Sequence, residues 1–572
     1  MKRMWRVSRN NWKVLAVVVA GSAVLFYYGF RSKTKPPVVE APKQNMILIS
    51  IDTVRAGCLQ VYDGAHGAPT PNLMRIASRS SVFTHAISQI PYTLPSHCSM
   101  LTGTYPMKHL VQENTRSKLA GNALTLAEVL KDHGYQTAGF VASIVLESTV
   151  GINQGFETYD DRFTASNILS SDLGGVQRDA DEIFQSFQSW YDKKTPGPFF
   201  AFVHFYDAHI PYSPPPQFRP KVPTVEGLYH GELSYIDSVI GKLYDHLAGK
   251  GAWKDTVLVI TGDHGELLGE HGEVGHGYFI YQKAVHVPLI IARPEGILRK
   301  DIDKTVQTVD IMPTILDFLD IEIPSSVQGT SLKPLLEGKP LSHMFAYSES
   351  LTASQTFGAS PLRSIQDATF KFIESPRPEL YNIKEDREEK LNLFDQRADL
   401  AARMRTTLNE LMARNRADVT ETKEERKLSP EEAEQLAALG YIGGSASSPE
   451  VNMTLDAKDY IEYWNDLAKL GTLFKANRFQ DCLKIAAGMR KANVFPVTAR
   501  VFEAKALMGL KKYDEAHSAL NEILAKDPEN VQAKGVIAEI YERSGDSKNA
   551  AALYKQSFEN KKTPISLQQY SR

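Results

Sequence analysis

The sequence predicts an α/β fold, a sheet flanked by helices, followed by an all-α repeat region. Two observations carry this prediction. From Met46 to about Asn415, short apolar runs alternate with helical patterns, the rhythm of a parallel α/β sheet. Towards the C-terminus, a helical pattern recurs every 34 residues. A third feature, an apolar run near the N-terminus, bears on the membrane.

The chain has 572 residues, 42% of them apolar and 23% charged, with a net charge of −2, so it can bury several cores. That balance excludes nucleic acid as the expected partner, because a polyphosphate backbone requires a basic excess or patch. The three cysteines (Cys58, Cys98 and Cys482) are too few and too scattered for a disulfide framework or a zinc ribbon.

Lys2, Arg3, Arg6, Arg9 and Lys13 precede an uncharged run from Val14 to Phe30, and Arg31, Lys33 and Lys35 follow it. Residues 1–13 read as a cytoplasmic N-terminus, 14–30 as a transmembrane signal anchor and 31–44 as a stiff proline-containing linker. The excess of positive charge before the run predicts a single-pass cell-membrane protein with its catalytic domain on the periplasmic or extracellular side. Cleavage near Ala23 competes, but the run continues through Val24-Leu-Phe-Tyr-Tyr to Phe30.

Residues 45–415 read as the α/β domain. Met46–Ile51, Gln136–Val141, Phe199–Phe205 and Thr256–Thr261 are candidate buried strands. Thr125 to His133 reads as a capped helix closed by Gly134, and Tyr229 to Leu247 as a longer helix closed by Gly249. Residues 416–452 read as a helix and linker: Ser429-Pro-Glu-Glu starts a helix, Gly440 stops it, and Gly443 to Pro449 is flexible. In residues 453–572, Phe479 and Cys482 recur as Tyr513 and Ala516, and again as Ser547 and Ala550. This period resembles tetratricopeptide repeats and leaves two readings open, a protein-binding groove or helical hairpins that cap the enzyme.

In a parallel α/β sheet, ligands bind beyond the carboxyl ends of the strands. There the sequence places Asp52, then Tyr206-Asp207-Ala208-His209, then Gly262-Asp263-His264-Gly265-Glu266. One such Asp reads as a turn former or helix cap, whereas three with adjacent imidazoles read as a metal site. Pro91-Tyr-Thr93-Leu-Pro95-Ser-His97 places the Thr93 hydroxyl at a helix N-terminus, where backbone N–H groups favour an anion. On its own, Thr93 would read as a cap.

The segment from Thr93 to Gly103 resembles the sulfatase signature, in register with the Thr-x-Pro-x-His form of the nucleotide pyrophosphatase/phosphodiesterases of the same alkaline phosphatase superfamily. The resemblance extends to Tyr105-Pro106, His109 and Asn114, to Ile51–Arg55, Thr261–Glu266, Val287–Ile291 and Asp310–Thr314, and to Glu379–Asn382 with Asn392-Leu393. It implies an alkaline-phosphatase/sulfatase-like sheet and a metal site of Asp52, Thr93, Asp263 and His264, donors that suit zinc or manganese better than calcium. Asp207, His209 and His276 imply a second divalent ion, so one or two ions are expected; His271 is an alternative ligand, and His286 reads as packing beside a strand.

Sulfatases convert a Cys or Ser at this position to formylglycine, which Thr cannot form. The sequence therefore predicts a metal-dependent hydrolase of phosphate-type esters (phosphodiesters, phosphomonoesters or phosphonates). Thr93 attacks phosphorus, Asn114 stabilises the equatorial oxygens, His209 or His276 assists the leaving group, and water cleaves phospho-Thr93. A sulfuric ester hydrolase, a phosphoethanolamine-type envelope transferase and an inactive repeat scaffold are the alternatives. The expected partners are an ester substrate, which an envelope component could supply, the membrane through residues 14–30, and a protein at the repeats.

Overall fold

Eight strands form one mixed sheet. The computed structural model describes residues 44–163, 177–294, 298–341, 345–417, 423–426, 449–528 and 530–553. The expected anchor at 14–30, nearly all of the 31–44 linker and most of 416–452 lie outside these residues. Among the described residues, no helix is long and apolar enough to cross a membrane.

The strands are β1 (Asn45–Ile51), β2 (Ser80–Ile87), β3 (Gln136–Phe140), β4 (Thr158–Asp160), β5 (Phe199–Phe205), β6 (Thr256–Gly262), β7 (His286–Ala292) and β8 (Lys300–Gln307). Their order across the sheet is β8-β2-β7-β6-β1-β5-β3-β4. Seven strands run one way, and β7 runs against both of its neighbours, β2 and β6. The expected parallel sheet is therefore a mixed one. The central strands are buried on both faces, which is why they read as near-continuous apolar runs such as Phe199 to Val203.

Helices cover the sheet: α1 (Pro71–Ala77), α2 (Thr93–Thr102), α3 (Leu126–Asp132), α4 (Ala180–Tyr191), α5 (Val225–Gly249) and α6 (Ile311–Phe318). Thr125 caps α3 in a reciprocal box with Glu128. Helix α5 starts earlier than its apolar pattern suggests, because the Thr224 side chain caps it by accepting from Gly227 N. A second, antiparallel sheet contains β9 (Ala346–Ser350), β10 (Leu362–Gln366), β11 (Phe370–Glu374) and β12 (Glu379–Asn382). Helix α7 (Ala398–Asn415) packs Ala401, Met404, Leu408 and Leu411 into a core shared with that sheet.

The C-terminal region is helical: α8 (Ile461–Lys475), α9 (Phe479–Lys491), α10 (Pro496–Gly509), α11 (Tyr513–Leu524) and α12 (Val531–Ser544). Phe479 and Tyr513 open α9 and α11, and helix resumes at 547, so the recurrence in sequence marks the second helix of each hairpin. The recurring small residues Cys482, Ala516 and Ala550 are all buried.

Candidate active site

Strands β1, β5 and β6 end level with one another: Ile51 lies opposite both Phe205 and Gly262. The next residues of β1 and β6, Asp52 and Asp263, are both wholly buried. Asp52 N donates to the Phe205 carbonyl at 2.9 Å, and Thr53 then turns the chain at φ +54°. Thr53 N donates to Asp263 Oδ1 at 3.1 Å, and His264 N donates to the same oxygen at 2.7 Å. That leaves Asp263 Oδ2, 3.4 Å from His264 Nε2. Asp263 Oδ2 and Asp52 Oδ1 are buried without a hydrogen-bond partner among the described residues.

Thr93 opens α2, whose ten residues are all buried. Tyr92 is the cap position and its side chain makes no capping bond, and the Thr93 hydroxyl lies one residue inside the helix. It lies 3.4 Å from His264 Nε2. His264 Nδ1 donates to the Gly265 carbonyl at 2.9 Å, which directs the lone pair of Nε2 towards Thr93 and Asp263. One turn along, His97 donates from Nδ1 to the Thr93 carbonyl at 2.7 Å and accepts from the Ser50 hydroxyl at 2.8 Å, tying α2 to β1.

Asp52, Asp263 and His264 offer ligand atoms that all lie within 4.8 Å of one another. Burial, followed by the charges of Asp263 and Glu266, holds the Asp52 carboxyl well above the usual carboxylate range. Two buried carboxylates, each with an oxygen unpartnered among the described residues and an imidazole alongside, fit a divalent cation, which would offset their repulsion.

Asn114 is buried beside the first turn of α2. Its Oδ1 accepts from Leu94 N at 2.9 Å, while its Nδ2 has no partner among the described residues. His276 donates from Nδ1 to Glu266 Oε1 at 3.1 Å, and its ring lies 4.5 Å from that of His264 and 5.0 Å from that of His209. His209 donates from Nδ1 to the Ile210 carbonyl at 2.6 Å and stacks on Tyr206 at 4.4 Å. Burial lowers both imidazoles, His209 to about 3, so each is neutral at neutral pH with a lone pair on Nε2. Gly277, at φ +95°, is required: a Cβ there would lie 2.5 Å from the Tyr92 ring.

Residues 44–321 match the Sulfatase family, and residues 269–416 match the C-terminal region of N-sulphoglucosamine sulphohydrolase. The chain carries a sulfatase-family domain. Residues 507–564 match the tetratricopeptide repeat, so this domain is followed by a region of that type. Across 440 residues the chain is 23% identical to a Delta 4,5-hexuronate-2-O-sulfatase of Bacteroides thetaiotaomicron, covering 66% of this chain and 90% of that one. It is 24% identical to an arylsulfatase of Clostridium perfringens, covering 62% and 90% of the two chains. Among solved structures, the phosphonate monoester hydrolase of Agrobacterium radiobacter shares the fold with a TM-score of 0.56 and 22% identity, covering 67% of this chain and all of the other.

The sulfatase-family domain brings Asp52, Thr93, Asp263 and His264 together, with Asn114, His276 and His209 around them. Asp207 stands apart from them. Its Oδ1 accepts from Ala180 N at 3.0 Å at the start of α4, and its charged neighbours are Asp179 and Asp181. Among the described residues it joins no metal-holding group, so Asp207 does not supply the carboxylate of the second ion expected from Asp207, His209 and His276. His271 is also elsewhere, stacked on Tyr281 at 3.6 Å and donating to the Glu388 carbonyl. His286 packs beside β2, on the Thr84 carbonyl. Sequence reasoning missed His204, whose Nδ1 accepts from Ala142 N and whose Nε2 donates to Asp52 Oδ2 at 3.3 Å. The signal was present: a histidine inside a wholly apolar buried strand must find polar partners.

Proposed function

We propose that this sulfatase-family ester hydrolase acts on phosphate-type esters (phosphodiesters, phosphomonoesters or phosphonates) through a covalent Thr93 intermediate. The observation that carries the proposal is a threonine, and not a cysteine or serine, at the first turn of α2 against Asp263 and His264. A threonine cannot become formylglycine, so an ester formed on it is released by attack of water on the central atom, a path open to phosphorus.

Thr93 attacks phosphorus with its hydroxyl oxygen, and the alcohol oxygen leaves on the opposite side and takes up a proton. The Asn114 Nδ2 donor, buried and without a protein partner, stabilises an equatorial oxygen as charge builds. Water then displaces Thr93 from phosphorus, and the proton it gives up restores the Thr93 hydroxyl. His276 and His209, whose rings stand together beside His264, assist the leaving group, the role read from the sequence. A divalent cation held by Asp52, Asp263, His264 and Thr93 would supply Lewis-acid stabilisation of the phosphoryl oxygens; zinc and manganese suit these donors.

A second reading, hydrolysis of sulfuric esters, has specific support: the family match and both curated relatives carry sulfatase names, and by name they favour sulfate over phosphate. The solved phosphonate monoester hydrolase shares the fold. Side-by-side turnover of an aryl sulfate, a phosphate monoester, a phosphodiester and a phosphonate monoester separates the readings. Faster phosphoryl than sulfuryl turnover supports the proposal, and the reverse order removes it. As part of the same proposal, residues 14–30 anchor the enzyme with its catalytic domain outside the cell membrane, and the helical repeats bind a protein. Retention of the full chain in washed membranes, and its release on deletion of 1–30, tests the anchor.

A further inference from the structure

We propose that Asn465 and Trp464, in the first helix of the C-terminal helical region, are positioning residues for His276. The inference rests on the reading above that His276 serves the reaction.

Leu267–Leu268 and Val274–Gly275 form a small antiparallel hairpin, with Leu267 opposite Gly275 and Leu268 opposite Val274. The residues just beyond its open end are Glu266 and His276, joined through Oε1 and Nδ1 at 3.1 Å. Whatever fixes the hairpin therefore fixes the imidazole beside His264.

The turn of this hairpin is held by α8. Asn465 donates from Nδ2 to the Gly272 carbonyl and accepts at Oδ1 from Val274 N at 3.3 Å. A carboxamide carries a donor and an acceptor side by side, as a backbone edge does, so one side chain satisfies both groups. On the other side of His276, the Trp464 ring lies 5.7 Å from that of Tyr278. The Tyr278 hydroxyl donates to the Ala457 carbonyl at 2.6 Å, in the turn that leads into α8. The helical region thus grips the chain at 272–274 and again at 278, bracketing His276. Inside the bracket, the buried Glu273 carboxylate accepts from Tyr278 N and Phe279 N at 3.0 and 2.9 Å, so the two grips are joined. The catalytic domain adds a hold of its own, the Ser350 hydroxyl on the Gly277 carbonyl at 2.7 Å. Through this arrangement the helical region forms part of the support of the catalytic centre.

Small displacements of a reacting group are costly: about 1 Å can lower the rate of an oriented reaction by as much as 10²-fold. The test uses the full chain carrying Asn465→Ala, Trp464→Ala, Trp464→Phe and His276→Ala, singly and with Asn465→Ala combined with His276→Ala. Loss of one bracing contact is expected to lower kcat by about three- to tenfold, with KM little changed. Trp464→Phe, which keeps a ring against Tyr278, is expected to retain most of the turnover lost in Trp464→Ala. In the His276→Ala background, Asn465→Ala is expected to add nothing to the loss, while amide exchange at 274–279 quickens in every Asn465→Ala protein. A loss that multiplies in the double variant would make Asn465 merely structural and overturn the proposal. So would wild-type kcat in both Asn465→Ala and Trp464→Ala when His276→Ala is impaired. Wild-type turnover in His276→Ala would overturn the role of His276 itself, and with it the reason to call Asn465 a positioning residue.

Discussion

We propose that Asn114 performs two separable tasks with one amide. Its Oδ1 accepts from Leu94 N at 2.9 Å and secures the first turn of α2, while its Nδ2 is buried without a partner among the described residues. In Asn114→Ala, the Leu94 N–H loses its partner inside a wholly buried helix, a cost of about 1–3 kcal/mol of stability. The lost Nδ2 takes no hydrogen bond from the folded protein among the described residues, so its effect falls on the reaction. A hydrogen bond to a charged oxygen contributes about 1.5–3 kcal/mol, which at about 1.36 kcal/mol per decade is a loss of roughly ten- to 150-fold in rate. Asn114→Asp keeps an oxygen for Leu94 and removes only the donor, so its turnover is expected to fall at least as far. The assay is steady-state hydrolysis of an aryl phosphonate or phosphodiester with thermal unfolding alongside. If kcat/KM in Asn114→Ala and Asn114→Asp stayed within about threefold of wild type, the assignment of Nδ2 to a developing charge would be refuted.

Relief of carboxylate repulsion gives a second test. In metal-free protein, Asp52→Asn is expected to raise Tm by removing one of two repelling buried carboxylates, and to abolish the further rise that zinc or manganese gives wild type; a rise that persists in the variant would refute the site. Asp207→Asn is expected to leave the metal-induced rise intact, since Asp207 faces α4. Burial lifts the Asp207 carboxyl from 3.8 to about 7, so between those values the folded protein binds more protons than the unfolded chain, and stability falls as pH rises through that window. Denaturant unfolding across it should therefore show a shallower pH dependence in Asp207→Asn than in wild type, and an unchanged slope would contradict this placement.

The strands were legible because double burial leaves an apolar run that ends abruptly, and the residues just past the ends of β1 and β6 supplied Asp52 and Asp263. Strand direction was not legible: an apolar run looks the same read either way, so the reversal of β7 left no trace in the sequence. Asp207 and His209 are two residues apart beyond one strand end, and that closeness suggested a shared ligand. The chain turns between them, and one side chain meets α4 while the other stacks on Tyr206. His204 escaped notice because ligands were sought beyond the strand ends, whereas it points from within β5 to Asp52. The hold of α8 on the His276 hairpin joins residues 191 positions apart, and no local pattern signals such a pairing.

In the proposed reaction Thr93 carries the transferred group. Rapid acid quench of full-length, metal-loaded enzyme with a phosphodiester, followed by mass spectrometry of the peptide around Thr93, tests it directly. A phosphoryl-type adduct on Thr93 is expected to form and decay in step with turnover, and both adduct and turnover are expected to be lost in Thr93→Ala. Turnover in Thr93→Ala at the wild-type rate, or an adduct on another residue, would contradict it.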